Sequence, residues 1–77
     1  NDGESKFIRR DLSNAISKLP HDLKEAFELN AKGFKYHEIA EKVNVPLGTV
    51  KTRIFIARRR LRVSLAEYEK AYDLQAS

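Results

Sequence analysis

The sequence contains no cysteine, methionine or tryptophan, and it has only three glycines and two prolines in 77 residues. Without cysteine there are no disulfides and no cysteine-based zinc sites, and glycine is too sparse for a phosphate-binding loop. The apolar runs are too short to cross a bilayer, and no segment resembles a cleaved signal peptide. We therefore expect a cytoplasmic protein that binds no cofactor or metal and makes no membrane contact.

The length suits one small domain. Hydrophobic residues make up 42% and charged residues 34% of the chain, a balance that supports a folded and highly soluble domain. The first residue is Asn1 and not methionine. We therefore expect a fragment or a processed piece, from which other functional parts are missing.

Positive charge is concentrated in one segment. The net charge is +4, but residues 1–45 sum to zero, residues 46–62 sum to +6 with no acidic residue, and residues 63–77 sum to −2. A solvated helix face is the ordinary explanation of a charge run, yet this segment has no acidic neighbours at i,i+4 spacing to offset the repulsion. The pattern favours a surface that binds a polyanion.

Apolar residues recur at helical spacing, with no strand-like alternation and no internal repeat. The spacing predicts an all-α fold, a compact bundle of about four helices near residues 6–18, 20–32, 36–43 and 46–66. The fourth apolar stripe continues far enough to allow a longer last helix.

The predicted helices divide the chain into three parts. We expect a disordered N-terminal tail at residues 1–5, a helix-turn-helix domain at residues 6–66, and a C-terminal helical extension or tail at residues 67–77.

Residues that start and end helices stand at the predicted boundaries. Pro20 and Pro46 suit the first position of a helix, Gly33 suits a helix end, and Asn44 tolerates the left-handed conformation of a tight turn. The small side chain of Ala40 allows two helices to cross closely. A short helix, a tight turn and a longer helix predict a helix-turn-helix, although an αα-corner without a ligand has the same spacing. The +6 charge on the second helix favours DNA binding.

A helical wheel divides the fourth helix into two faces. The core face carries Val50, Ile54, Ala57 and Leu61. The opposite face carries Gly48, Thr52, Phe55 and Arg59. Lys51 and Arg59 are suited to guanine edges, and Thr52 or Phe55 to thymine methyl groups. Gly48 allows close approach of the backbone to DNA.

The other basic side chains suit phosphate contacts, which position a protein on DNA without specifying the sequence. Arg58, Arg60 and Arg62 are the main candidates, and Arg53 lies near the core margin, from which a long side chain still reaches a phosphate.

Residues 12–65 resemble region 4 of bacterial sigma factors, most closely the extracytoplasmic-function (ECF) type. The segments that carry the resemblance are residues 19–27, residues 33–40 and the string Pro46-Leu47-Gly48-Thr49-Val50-Lys51-Thr52-Arg53 with the residues that follow to Leu61. The resemblance implies that the helix beginning at Pro46 recognises the promoter −35 element in double-stranded DNA. It also implies docking on the β flap of the RNA polymerase core and sequestration by an anti-sigma factor. We expect the domain to be monomeric.

The residue pattern and the resemblance together give one set of candidate DNA-binding residues. They are Tyr36, His37, Leu47, Gly48, Thr49, Lys51, Thr52, Arg53, Phe55, Arg58, Arg59, Arg60 and Arg62. Three positions depart from the family pattern. Lys35 stands where a capping serine is common, Asn44 replaces a common glycine, and Ile56 replaces a frequent arginine and so removes one phosphate contact.

Two alternatives remain open. A LuxR-type response-regulator output domain shares the Glu-Ile-Ala and Thr-Val-Lys elements of this sequence. A protein-interaction module would instead bind an anti-sigma factor or polymerase through helices around Leu12, Ile16, Phe27 and Phe34, with minor DNA contact. A steep loss of affinity with salt would distinguish phosphate contacts from apolar docking.

No arrangement of side chains predicts catalysis. His21 and His37 are isolated, and no serine has a nearby base of the kind that a nucleophile needs. We expect a protein that is not an enzyme.

Overall fold

The structure is a computed structural model that describes residues 11–76, with side chains described for residues 11–67. Its four helices are α1, of which residues 11–17 are described, α2 at His21–Ala31, α3 at Tyr36–Val43 and α4 at Leu47–Ala76. No strand occurs in the described part of the chain. The predicted all-α bundle of about four helices is confirmed. The predicted tail at residues 1–5 and the predicted start of the first helix at residue 6 lie outside the described residues.

Both prolines lie one residue before a helix and not inside it, so the predicted helix starts are wrong by one residue. Pro20 has an extended backbone (φ −53°, ψ 148°), and its carbonyl accepts the N–H of Lys24 at 2.9 Å. The Pro46 carbonyl accepts the N–H groups of Thr49 at 3.0 Å and Val50 at 3.3 Å. Each proline therefore supplies the first acceptor of the helix that follows it.

The two left-handed residues end α2 and α3 as predicted. Gly33 has φ 108° and follows α2, where the N–H of Phe34 donates to the Leu29 carbonyl at 3.1 Å. Asn44 has φ 57° and follows α3, where the N–H of Val45 donates to the Ala40 carbonyl at 3.1 Å. Both bonds run from a residue to the carbonyl five positions earlier, which is the geometry of a Schellman helix end.

The start of α3 lacks the side-chain cap that a serine would supply. A lysine side chain has no acceptor, so Lys35 cannot bind the free N–H groups of the first turn. Glu38 instead accepts the backbone N–H of Lys35 at 2.7 Å, which is the reverse half of a capping box. This bond partly replaces the missing cap.

One apolar cluster joins α1 to α4. Ala15 and Leu19 pack there with Ala57 and Leu61, all at most 8% exposed. The half-buried side chains that pack against this cluster are Leu12, Ile16, Leu23 and Phe27.

A second cluster joins α2, α3 and α4. Ile39, Val50 and Ile54 are completely buried, and Ala26 on α2 is 1% exposed. The half-buried side chains around them are Leu29, Phe34, Tyr36, Ala40, Val43 and Val45. Because this cluster takes residues from both sides of the turn at Asn44, it fixes the angle between α3 and α4. The core face predicted for α4 is correct at every position.

Helix α4 continues beyond residue 66 to Ala76, and is thus the longer last helix that the apolar stripe allowed. No glycine or proline follows Gly48 in the sequence, so nothing in the chain interrupts the helix. Thirty residues span about 45 Å.

We predict that Ala40→Leu destabilises the domain, because Ala40 packs against the second cluster where α3 and α4 approach. Overpacking of this kind costs about 1–3 kcal/mol, a large share of the stability of a small domain. Urea or thermal unfolding followed by circular dichroism measures the change. Ala66→Leu, on the exposed side of α4, is the matched control, and equal stability of the two variants would contradict the packing account.

Candidate nucleic-acid interface

The start of α4 offers backbone donors to an anion. Thr49 and Val50 donate to the Pro46 carbonyl, whereas the first N–H groups of a helix, here those of Leu47 and Gly48, have no acceptor within the helix. Gly48 is exposed, and a Cβ added to it would meet nothing within 4 Å. The protein itself therefore leaves the space above this turn open, and a phosphate or a DNA backbone can approach it closely.

The side of α4 opposite the core is exposed from Gly48 to Arg59. Gly48, Thr52 and Arg59 are all exposed, and 62% of Phe55 is accessible although it is a large apolar residue. Single exposed apolar residues are ordinary at a protein surface. This one lies within the basic segment, so its surroundings suit contact with the apolar edge of a base.

The remaining candidates on α4 border this face. Lys51 and Arg62 are exposed on one side of it. Leu47 is 42% exposed at the helix start, and Thr49 beside it is half-buried.

Two arginines of the basic segment are bound to side chains of α2. A guanidinium nitrogen (Nη2) of Arg58 donates to the side-chain oxygen of Asn30 at 3.3 Å. An Nη2 of Arg53 lies 3.8 Å from a carboxylate oxygen of Asp22, an ion pair that is longer than a hydrogen bond. Among the described basic residues of segment 46–62, those without a hydrogen bond or ion pair to a described side chain are Lys51, Arg59, Arg60 and Arg62.

Asn30 connects three elements. Its amide nitrogen donates to the Phe34 carbonyl in the α2–α3 turn at 3.1 Å, while its oxygen accepts from Arg58 on α4. The sequence analysis did not identify Asn30, because the pairing joins residues 28 positions apart and no local pattern marks it.

The two candidates on α3 differ in exposure. His37 is exposed at the start of the helix, whereas Tyr36 is half-buried and packs against the second apolar cluster. The structure therefore gives Tyr36 a packing role that the sequence analysis did not assign to it.

A groove of about 540 Å³ lies between α1 and α4. Its lining residues are Ala15, Lys18, Leu19, Ile56, Arg59, Arg60, Val63 and Ser64. The groove shares Arg59 and Arg60 with the candidate DNA-binding set, and sequence reasoning did not find it.

The four residues named for the protein-interaction alternative do not form an exposed surface. Leu12, Ile16 and Phe27 are half-buried against the first cluster. Phe34 packs against the second cluster, and the Lys42 ammonium lies 4.6 Å from the centre of its ring.

Two negative findings apply to the described residues. They contain no group of three or more histidine, cysteine, aspartate or glutamate residues that could hold a metal ion. No helix among them is both long and apolar enough to span a membrane.

The fold and the basic second helix thus define a helix-turn-helix domain. The family model described as "Sigma-70, region 4" matches residues 9–61. The chain is 44% identical over 55 residues to the ECF RNA polymerase sigma-E factor of Haemophilus influenzae, and the aligned part covers 70% of this chain and 29% of that protein. It is 42% identical over the same length, with the same coverage, to the proteins of that name in Escherichia coli K12 and Salmonella typhimurium LT2.

The chain therefore belongs to the sigma-70 region 4 family, and the resemblance stated from the residues is confirmed. It spans less than a third of the length of these relatives. The LuxR-type alternative is not favoured by the comparisons.

We predict that Asn30→Ala lowers the free energy of unfolding by about 1–2 kcal/mol, because the part-buried Phe34 carbonyl loses its side-chain donor. Arg58→Ala removes only the exposed hydrogen bond from Arg58 to the Asn30 side chain, so it should lower the free energy of unfolding by less. Chemical denaturation of both variants checks the order, and an equal or larger loss for Arg58→Ala would contradict it.

Proposed function

We propose that this chain is the C-terminal domain of an ECF sigma factor and that α4 recognises the promoter −35 element in duplex DNA. The observation that carries the proposal is the exposed face of α4, where cations that have no partner among the described side chains lie around an exposed aromatic residue on the second helix of a helix-turn-helix. Membership of the sigma-70 region 4 family and the names of the relatives support it.

In this account the face opposite the core recognises bases. Lys51 and Arg59 donate to guanine edges, and Thr52 and Phe55 contact thymine methyl groups. The helix start brings its free N–H groups to a phosphate, with Gly48 allowing the close approach.

The flanking residues hold the duplex without selecting its sequence. Arg60 and Arg62 are exposed and have no partner among the described side chains, so they contact phosphates directly. Arg53 and Arg58 can contact phosphates only by releasing Asp22 and Asn30 of α2 or by binding both at once. His37 contacts the DNA backbone from the start of α3.

RNA polymerase core is the second partner, contacted through its β flap, and an anti-sigma factor is a third. The groove between α1 and α4 supports a protein contact because it combines apolar side chains such as Leu19 and Val63 with basic ones. We further propose that the domain is monomeric, acts in the cytoplasm and performs no catalysis.

Selection of a random-sequence duplex pool on the 77-residue chain tests the function. The proposal expects enrichment of a short shared sequence, and a steep fall in affinity for it with rising salt. Binding without enrichment, or no binding, would contradict recognition of a promoter element.

We predict that Lys51→Ala and Arg59→Ala each reduce discrimination between the enriched and a scrambled duplex by about 1–3 kcal/mol, since each removes a base contact. Arg60→Ala should weaken both duplexes alike and reduce the salt slope by about 1. Fluorescence anisotropy at several salt concentrations measures both quantities. Equal losses on both duplexes for all three variants would refute this division of roles.

We predict that Gly48→Ala separates folding from binding. The added methyl meets nothing within 4 Å in the protein, and alanine favours a helix over glycine by up to about 1 kcal/mol, so thermal stability should be equal or higher. Affinity for the enriched duplex should fall severalfold, because the methyl lies where the DNA backbone approaches. Unchanged affinity would show that no close approach occurs there.

A further inference from the structure

The basic segment of α4 makes one ion pair among the described side chains, and its acidic partner comes from another helix. Residues 46–62 contain no acid of their own. Among the described side chains, Asp22 in the first turn of α2 makes the one ion pair to this segment, through Arg53.

The geometry of this pair is that of a contact that opens easily. The two charged atoms are 3.8 Å apart, beyond hydrogen-bond distance. The Asp22 side chain is 67% exposed, so water screens its charge, whereas that of Arg53 is only 23% exposed. Exposed pairs of this kind contribute little to stability, and a stronger anion can displace the carboxylate.

We infer that Asp22 competes with DNA phosphate for Arg53 and thereby lowers the affinity of the domain for duplex DNA. This inference rests on the proposed function. Arg53 lies at the margin between the core and the DNA-facing side of α4. Its guanidinium can therefore pair either with the Asp22 carboxylate or with a DNA phosphate. In the free protein it lies beside Asp22, and a phosphate has to replace that carboxylate. Asp22 is thus a positioning residue that acts through Arg53 and has no contact of its own with DNA.

The test compares DNA affinity for Asp22→Asn with that of the unchanged chain, using the enriched and scrambled duplexes. Asp22→Asn should bind both between about 1.5- and 5-fold more tightly, which is the range that an exposed ion pair can account for. Its salt slope should steepen by at most about 0.9, the contribution of one phosphate. Asp22→Glu keeps the carboxylate and should behave as the unchanged chain.

Two further variants test whether the effect of Asp22 comes from its ion pair with Arg53 or only from its negative charge. Glu28→Gln removes an exposed acid from the same helix. Glu28 lines a surface depression formed by residues of α2 and by Lys32, which directly follows that helix, so its loss should leave DNA affinity unchanged. Arg53→Gln removes the residue through which Asp22 acts. In that background Asp22→Asn should have no effect on affinity.

The outcomes distinguish this inference from the proposed function. No enrichment and no binding by the unchanged chain would overturn both. Two results would overturn the competition alone if the unchanged chain still enriches a sequence. One is that Asp22→Asn and Glu28→Gln have the same DNA affinity. The other is that Asp22→Asn still raises the affinity in the Arg53→Gln background. Thermal unfolding of each variant accompanies the assay, because Asp22 also lies in the favourable first turn of α2. If Asp22→Asn only destabilised α2, it would not make DNA binding tighter, and its effect would not depend on the presence of Arg53.

Discussion

The fixed crossing of α3 and α4 is the constraint on which the rest of the molecule depends. Ile39, Val50 and Ile54 are completely buried against one another and against Ala26, so the second helix of the pair can hold only one orientation. The turn between the helices is set by Asn44, whose left-handed backbone reverses the chain direction. With Val50, Ile54, Ala57 and Leu61 buried on one face of α4, its opposite face lies in water. That face carries Arg59, and Lys51 and Arg62 lie beside it.

Helix α2 has two roles in this arrangement. It covers the buried side of α4 through Ala26 and half-buried neighbours, and its polar side chains reach the edges of the basic segment. Asp22 near its start meets Arg53, and Asn30 near its end meets Arg58. The helix that supports the fold therefore also contacts two of the six cations of the segment, while the remaining four have no hydrogen bond or ion pair to a described side chain.

Most of the fold was predictable because local signals mark it. Helical spacing identified the core face of α4, and Gly33 and Asn44 identified two helix ends. The misses have physical causes. The prolines act as caps because their carbonyls are the first acceptors. The partners Asp22 and Asn30 and the groove beside Val63 depend on contacts between distant residues, which no local pattern reveals. The roles of the DNA-binding residues remain predictions.

A two-dimensional NMR titration of the labelled chain with a duplex carrying its selected sequence, beside a scrambled duplex, tests the central claim most directly. The account predicts shifts concentrated at residues 46–62 and at His37, larger with the selected duplex at equal concentration. It also predicts little change at Glu28 and its neighbours on the outer side of α2. Shifts that are equal on both duplexes, or that avoid α4, would contradict the claim that the exposed face of this helix recognises DNA sequence.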